Sequence, residues 1–248
     1  MGGCFGKGLT KTEMAIVEAR ALQKHDHDVN EVNLLLDDPF PFHVWEEITS
    51  LLRLPHNRQQ IELLQVRPDE YWDAPTSGRA ALGDQRIETL AAALANSSTE
   101  ERAWRDAAQI AMGDGGSDGS EQSQEAPSPP ALKSLYLDFN NIGPDGAKHL
   151  ARMIHLMDHR QACALATLSL NNNRIGDEGA IALARAIRGN HSLQRIFLRD
   201  NAIGPAGSQA LADAVAANGT LLEVDMAGNQ GEAAIQSIAD ALARNKRQ

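Results

Sequence analysis

The side chains that could do chemistry are few and scattered. His155 and His159 stand four residues apart, with Asp158 between them and Cys163 close behind. On a helix that spacing puts both imidazoles on one face, where they could hold a metal ion. A structural metal site needs further ligands, and no second pair is evident, so the preferred reading is a solvated polar insertion and no metal is expected. His25-Asp26-His27-Asp28 reads the same way, as an exposed break between helices. The opening Gly-Gly-Cys-Phe-Gly-Lys-Gly precedes no strand–turn–helix, so a phosphate cradle is not expected. The sequence has no G-x-x-x-x-G-K-[ST], G-x-S-x-G, H-E-x-x-H or C-x-x-C. We therefore expect no catalytic residue, no cofactor and no small-molecule substrate.

The N-terminus carries a different chemistry. Met1-Gly2-Gly3-Cys4 has the form of an N-myristoylation start, with Gly2 to take one acyl chain and Cys4 to take a palmitate. The motif prefers Ser or Thr at the sixth position, where this chain has Gly6. One myristoyl chain gives only marginal membrane binding, so both acylations would be needed. Lys7 and Lys11 add a small attraction to anionic lipid, opposed by the acidic residues behind them. Residues 1–12 are expected to be a flexible tail, and acylation of Gly2 and Cys4 would be the chain's contact with a membrane.

Net charge separates the two halves. The 248 residues carry 23 Lys and Arg against 33 Asp and Glu, a net charge of −10. Residues 132–248 hold 12 basic and 11 acidic side chains, leaving 11 and 22 for residues 1–131. Neither half offers the basic face that a phosphate backbone requires, so nucleic acid is not an expected partner. Cys4 and Cys163 are the only cysteines; no disulfide framework follows, and a reducing, cytoplasmic setting is expected. No apolar stretch reaches the roughly 18 residues of a membrane span. No secretory signal is expected, so the sequons at Asn96, Asn190 and Asn218 carry no meaning.

The elements that must position any functional residue are declared by an internal repeat. LKSLYLDFNNIG begins at Leu132, LATLSLNNNRIG at Leu165, LQRIFLRDNAIG at Leu193 and LLEVDMAGNQG at Leu221, with starts 33, 28 and 28 residues apart. Each has apolar residues at positions one, four and six and asparagine at nine: Asn140, Asn173, Asn201 and Asn229. The downstream halves repeat too. Ala147, Leu150, Ala151 and Ile154 form a helical face, matched by Ala180, Leu183, Ala184 and Ile187, by Ser208, Leu211, Ala212 and Val215, and by Ile235, Ile238, Ala239 and Leu242. Each unit is a short period-2 strand followed by a period-3.6 helix. The Ile-Gly steps at 142–143, 175–176 and 203–204 place the turn between them. Asn190 and Asn218 sit where a helix should stop, in a left-handed conformation that asparagine tolerates. The first unit is five residues longer around 155–164, and that insertion is expected to bulge at the helix end.

These residues resemble leucine-rich repeats, L-x-x-L-x-L-x-x-N-x-I/L. The unit length near 28 and the pattern of Gly176 to Ile187 resemble the ribonuclease-inhibitor subtype, shared by NOD-like receptors and Ran GTPase-activating proteins. The likeness covers residues 132–248. It implies an α/β solenoid, with a short parallel sheet, helices on the convex side, and the recurrent asparagines satisfying backbone groups that stacking buries.

Residues 13–112 read as a mainly α-helical N-terminal region. Thr10 and Glu13 form a capping-box pattern ahead of Met14, Val17, Ala21 and Leu22. Further helices are predicted at 43–54, 59–66, 84–94 and from Ser98 through Ala111, and Trp45, Trp72 and Trp104 suggest a small core. The segment 82–94 resembles Ile175 to Ile187 but follows no strand signature, so it is not counted as a repeat. Residues 113–131, rich in Gly, Ser, Pro and acid, are expected to be a disordered linker.

Strand parity locates the working surface. The leucine-type residues point into the core, so their alternating neighbours face the concave side. These include Tyr136, Asp138, Asn171, Arg195, Phe197, Arg199 and Asp225. Tyr136 and Phe197 share a column, and an aromatic beside two arginines has the composition of an interface hot spot. The expected function is a monomeric, non-enzymatic protein-interaction module, with a protein partner on the concave face. Two alternatives are a GTPase regulator, implied by resemblance to the Ran activators, and a ubiquitin-ligase adaptor, since Pro41 to Leu52 resembles the start of an F-box.

Overall fold

Parallel strands cannot be joined by a tight turn, so the chain must cross back over the sheet, and a helix is the usual crossover. A computed structural model describes residues 31–36, 42–53, 61–68, 82–95, 132–159 and 165–247. Among them, strand and helix alternate six times. The elements are β1 (Glu31–Leu36), α1 (Phe42–Arg53), β2 (Leu63–Pro68), α2 (Gly83–Ala95), β3 (Ser134–Tyr136) and α3 (Pro144–His159). They continue as β4 (Thr167–Ser169), α4 (Gly176–Arg188), β5 (Arg195–Phe197), α5 (Pro205–Ala217), β6 (Glu223–Asp225) and α6 (Glu232–Asn245). All strands join one parallel sheet in chain order, β1 to β6.

The sheet extends past the four strands read from the repeat. The stretch predicted as a helix at 59–66 instead runs into strand β2, paired with β3 through Leu63–Ser134, Leu64–Leu135 and Gln65–Tyr136. Alternation explains the correction: Leu64 and Val66 are buried while Leu63, Gln65 and Arg67 are only partly covered, which is period 2. The segment at 82–94 therefore does follow a strand, and β2–α2 is a strand–helix unit. β1 repeats the pattern, with Val32 and Leu34 buried and Glu31 and Asn33 exposed. The predicted helices at residues 10–22 and 98–111, the tail 1–12 and the segment 113–131 lie outside the described residues, as do Trp72 and Trp104.

One core runs the length of the sheet. It takes Leu64, Leu135, Leu168 and Ile196 from one strand position, Val66, Leu137, Leu170 and Leu198 from the next, and the helical faces around Leu90, Leu150, Leu183 and Leu211. Trp45 of α1 is fully buried in it, and its Nε1–H donates to Arg86 O (3.0 Å) and Thr89 Oγ1 (2.8 Å) of α2. In α6 the predicted face holds at Ile238 and Leu242, but Ile235 is half-buried and Ala239 exposed, since among the described residues no further helix packs on that side. The insertion in the first repeat is partly helical, since α3 has 16 residues where α4 and α5 have 13.

Two asparagine ladders tie the units together. Asn173 Nδ2 donates to Leu137 O (3.0 Å) and Leu170 O (2.9 Å), and its Oδ1 accepts from the N–H of Asn140 and of Ile142 (both 3.0 Å). Asn229 does the same toward Leu198 O, Met226 O and the N–H groups of Asn201 and Ile203. Asn140 Nδ2 reaches Val66 O at 2.7 Å, joining the third unit to the second. Asn201 Nδ2 donates to Leu170 O at 2.8 Å, but its buried Oδ1 has no partner. The second ladder lies at the helix ends. Asn218 Nδ2 donates to Ile187 O and Asn190 O, and Asn245 Nδ2 to Asn218 O and Leu221 O. Asn218 is extended, at φ −99° and ψ 131°, and Asn190 has no positive φ, so the left-handed conformation predicted for them is not adopted. Their side chains bridge units instead. After strands β3 to β6 the left-handed residues fall in the following turn, among them Phe139, Asn172, Asp200 and Ala202.

Neighbouring helices interlock through aspartate. Asp84 Oδ1, at the start of α2, accepts from Gly143 N (2.6 Å), and Asp177 Oδ1, at the start of α4, accepts from Gly207 N (2.7 Å). Each carboxylate thus lies at the N-terminus of the next unit's helix, where backbone N–H groups lack intrahelical partners. A Cβ at Gly204 would come 2.6 Å from the Asp177 carboxylate, so a larger residue there would displace that side chain from the contact.

Candidate protein-binding face

Strand register sets the face opposite the helices in three rows. The first runs Glu31, Leu63, Ser134, Thr167, Arg195, Glu223 and the second Asn33, Gln65, Tyr136, Ser169, Phe197, Asp225. The repeat offset continues it into a third row of Arg67, Asp138, Asn171, Arg199 and Ala227, held by Phe139 N to Asn171 O and Asn172 N to Arg199 O bonds. All seven residues predicted for this face lie in these rows. Arg195 and Arg199 are exposed; Tyr136, Asp138, Asn171, Phe197 and Asp225 are partly covered. The β1 and β2 contributions were missed with their strands, although the alternation in Glu31 to Leu34 and Leu63 to Arg67 signals them.

The middle of the face is closed and hydrogen-bonded. Thr167 and Ser169 of β4 are 1% and 2% exposed, although they point away from the core. Arg195 reaches across from β5, its Nε donating to Thr167 Oγ1 at 3.0 Å. Ser169 Oγ donates to Asp138 Oδ1 at 2.6 Å, the Asn171 N–H donates to the same oxygen at 2.7 Å, and Asn171 Nδ2 donates to Ser169 Oγ at 3.1 Å. Asn171 Oδ1 then accepts from the Arg199 N–H at 2.9 Å. Side chains from β3, β4 and β5 are thereby fixed relative to one another. Burial pushes the Asp138 carboxyl above the usual carboxylate range, while its bonds from Ser169 and Asn171 pull it back.

Phe197 stands between Ile196 and Leu198, both fully buried, and is itself only partly covered. Arg199 Nε pairs with Asp200 at 3.1 Å. Arg195 lies opposite Glu223 in register, yet its Nε turns to Thr167 and no ion pair joins the two. Asp225 Oδ1 accepts only from the Ala227 N–H, at 2.9 Å. The arrangement has a rigid floor, two aromatic side chains two strands apart, and unlike charges on adjacent strands. Such a surface can bind a partner.

The histidine pair near the insertion falls elsewhere. His155 lies on α3, while Asp158 Oδ1 accepts from the His191 N–H (3.0 Å) and Asp158 Oδ2 lies 3.4 Å from His191 Nδ1. No group of three or more metal-ligating side chains occurs among the described residues. No helix among them is long and apolar enough to cross a membrane. Gly2 and Cys4 lie outside the described residues. Asn190 and Asn218, whose sequons were discounted, are buried.

A search of curated proteins finds no match. Among solved structures, the chain is similar to actin-binding site 2 of leiomodin-1, at 14% identity and a TM-score of 0.49, covering 97% of this chain and 92% of that one. It is likewise similar to the tropomodulin C-terminal domain from Caenorhabditis elegans, at 16% identity and a TM-score of 0.49, covering 96% and 95%. These loose likenesses carry nothing about a partner. Residues 129–151, 163–184 and 189–212 match a leucine-rich-repeat family model. The matched segments contain β3, β4 and β5 with the starts of their helices. With strand and helix alternating along one parallel sheet, the repeated part of this chain is a leucine-rich-repeat solenoid.

Proposed function

We propose that the chain is a non-enzymatic interaction module that receives a protein partner on the concave face of its sheet. The observation that carries this reading is Phe197. It is a large aromatic left partly open between two fully buried neighbours, with exposed Arg195 and Arg199 on the same strand face. Aromatics and arginines of this kind dominate binding energy in protein interfaces. The Asp138–Ser169–Asn171 network beneath supports it by holding the face rigid before a partner arrives. The helix that resembled an F-box start is α1, whose buried Trp45, Ile48 and Leu52 pack in the solenoid core, so its apolar face is already used.

Location enters the proposal through the N-terminus. Acylation at Gly2 and Cys4 would hold the module, as a monomer, at the cytoplasmic side of a membrane. Gly2→Ala should then release it to the soluble fraction, and an unmodified N-terminus by intact mass in a eukaryotic host would remove this part. The binding face is tested separately by placing a photo-crosslinking amino acid at Phe197 or at Gln209, which is exposed on α5. The expected result is a partner adduct from position 197 and none from 209; the opposite pattern would move the working surface to the convex side.

A further inference from the structure

The concave face has an order to it that specifies what should lie there. In its first two rows, from β3 to β6, the sheet presents an aromatic, a cation that reaches over β4 from β5, an aromatic and a pair of anions. Tyr136 stands on β3. The Arg195 side chain leans over β4, held by its bond to Thr167. Phe197 stands on β5, and Glu223 and Asp225 on β6. Arg195 and Glu223 face each other in register without pairing, so each is left to an outside charge.

Strands lie about 4.8 Å apart. A helix rises about 1.5 Å per residue, so three or four residues advance it by one strand and seven by two. A helix laid across the strands therefore meets β3, β4, β5 and β6 with residues i, i+3 or i+4, i+7, and i+10 or i+11. All of these lie on one helical face. Resting on the reading of this face as a protein-binding surface, we infer that its occupant is an amphipathic helix carrying apolar, acidic, apolar and basic residues at those steps. The apolar residues pack on Tyr136 and Phe197, the acid meets Arg195, and the base meets Glu223 and Asp225. An acid placed over β6 or a base over β4 would bring like charges together in a partly desolvated contact, which is strongly unfavourable.

The test uses the full chain and four labelled helical peptides in fluorescence anisotropy. Two carry this order, one for each chain direction, and two have acid and base exchanged. Arg195 and Glu223 are both exposed, so the double exchange Arg195→Glu with Glu223→Arg should leave folding intact. One peptide of the proposed order should bind the wild-type chain about tenfold more tightly than its exchanged form, and the doubly exchanged chain should reverse that preference. Equal binding of both orders, a preference the double exchange does not reverse, or no binding by any peptide would overturn the inference. A Phe197→Ala arm separates the two levels. If it weakens all peptides while charge order has no effect, the face binds helices but not by this order. If it changes nothing for peptides that do bind, the concave face falls with the inference.

Discussion

In the four C-terminal units the ninth position of each strand motif is asparagine: Asn140, Asn173, Asn201 and Asn229. Counting from the paired strands, the same position in the two units before them falls on Asp69 and Asp37. Their motifs read Ile61-x-x-Leu64-x-Val66-x-x-Asp69 and Val29-x-x-Val32-x-Leu34-x-x-Asp37. The apolar steps are kept, and the amide is replaced by a carboxylate. An asparagine both donates and accepts, as Asn173 does across two units, whereas an ionised aspartate only accepts. The difference teaches that burial at positions four and six is enough to enter the sheet, and that the amide ladder is an added fastening of the C-terminal units. Among the described residues its donors reach as far as Val66 O, bonded by Asn140.

The largest expected effect sets the two regions against each other directly. Leu64 and Leu198 are both fully buried in one continuous core, so Leu64→Ala and Leu198→Ala should each cost about 2–5 kcal/mol. Chemical denaturation should show one transition for both, as nearest-neighbour coupling along a solenoid requires. A Leu64→Ala variant that loses an early transition and leaves a wild-type second one would show that the first two units fold apart from the rest.

The next effect concerns the ladder. Asn173→Ala removes donors and acceptors from four or more backbone groups and should cost about 1–3 kcal/mol. Asn201→Ala should cost less, because its Oδ1 satisfies nothing, though the loss of its bond to Leu170 O should still be measurable. Equal unfolding midpoints for wild type and both variants would mean that the ladder contributes nothing to stability.

The smallest effect lies on the binding face and depends on pH. The folded-state pKa of Asp138 is raised, so its protonated form is favoured by folding. Its contribution is then fully present below the unfolded value of about 4 and is lost as pH rises through the folded pKa. Asp138→Asn keeps an oxygen for Ser169 and Asn171 but does not titrate there. Wild type should therefore lose stability relative to Asp138→Asn as pH rises from 4 toward neutrality. A relative gain over that range would place the carboxylate in a favourable environment and reverse the sign of the argument.

Legibility followed the amide. At Leu132, Leu165, Leu193 and Leu221 the leucines and asparagines recur at nearly fixed intervals, so strands β3 to β6 are legible from the repeat and the concave rows follow from parity. Unit two begins at Ile61 and unit three at Leu132, 71 residues apart, which hides the period. Val66 and Asp69 also replace the leucine and asparagine that mark the motif, so a helical spacing in 59–66 won over a two-residue alternation. The second ladder was half visible. Asn190, Asn218 and Asn245 are spaced 28 and 27 apart, but a helix-ending asparagine suggests a left-handed cap before it suggests a bridge between units. The Asp138–Ser169–Asn171 network could not be read at all, because it joins residues whose proximity only the sheet register creates.

On the proposed reading, Phe197 serves a partner while its neighbour Leu198 serves the fold. The direct measurement is a pair on each alanine variant, thermal unfolding and affinity for the partner that the wild type retains. Phe197→Ala is expected to weaken binding by about 2 kcal/mol or more with a much smaller change in stability. Leu198→Ala is expected to lose about 2–5 kcal/mol of stability. If Phe197→Ala destabilises as much as Leu198→Ala, or binds the partner undiminished, the concave face is not the working surface.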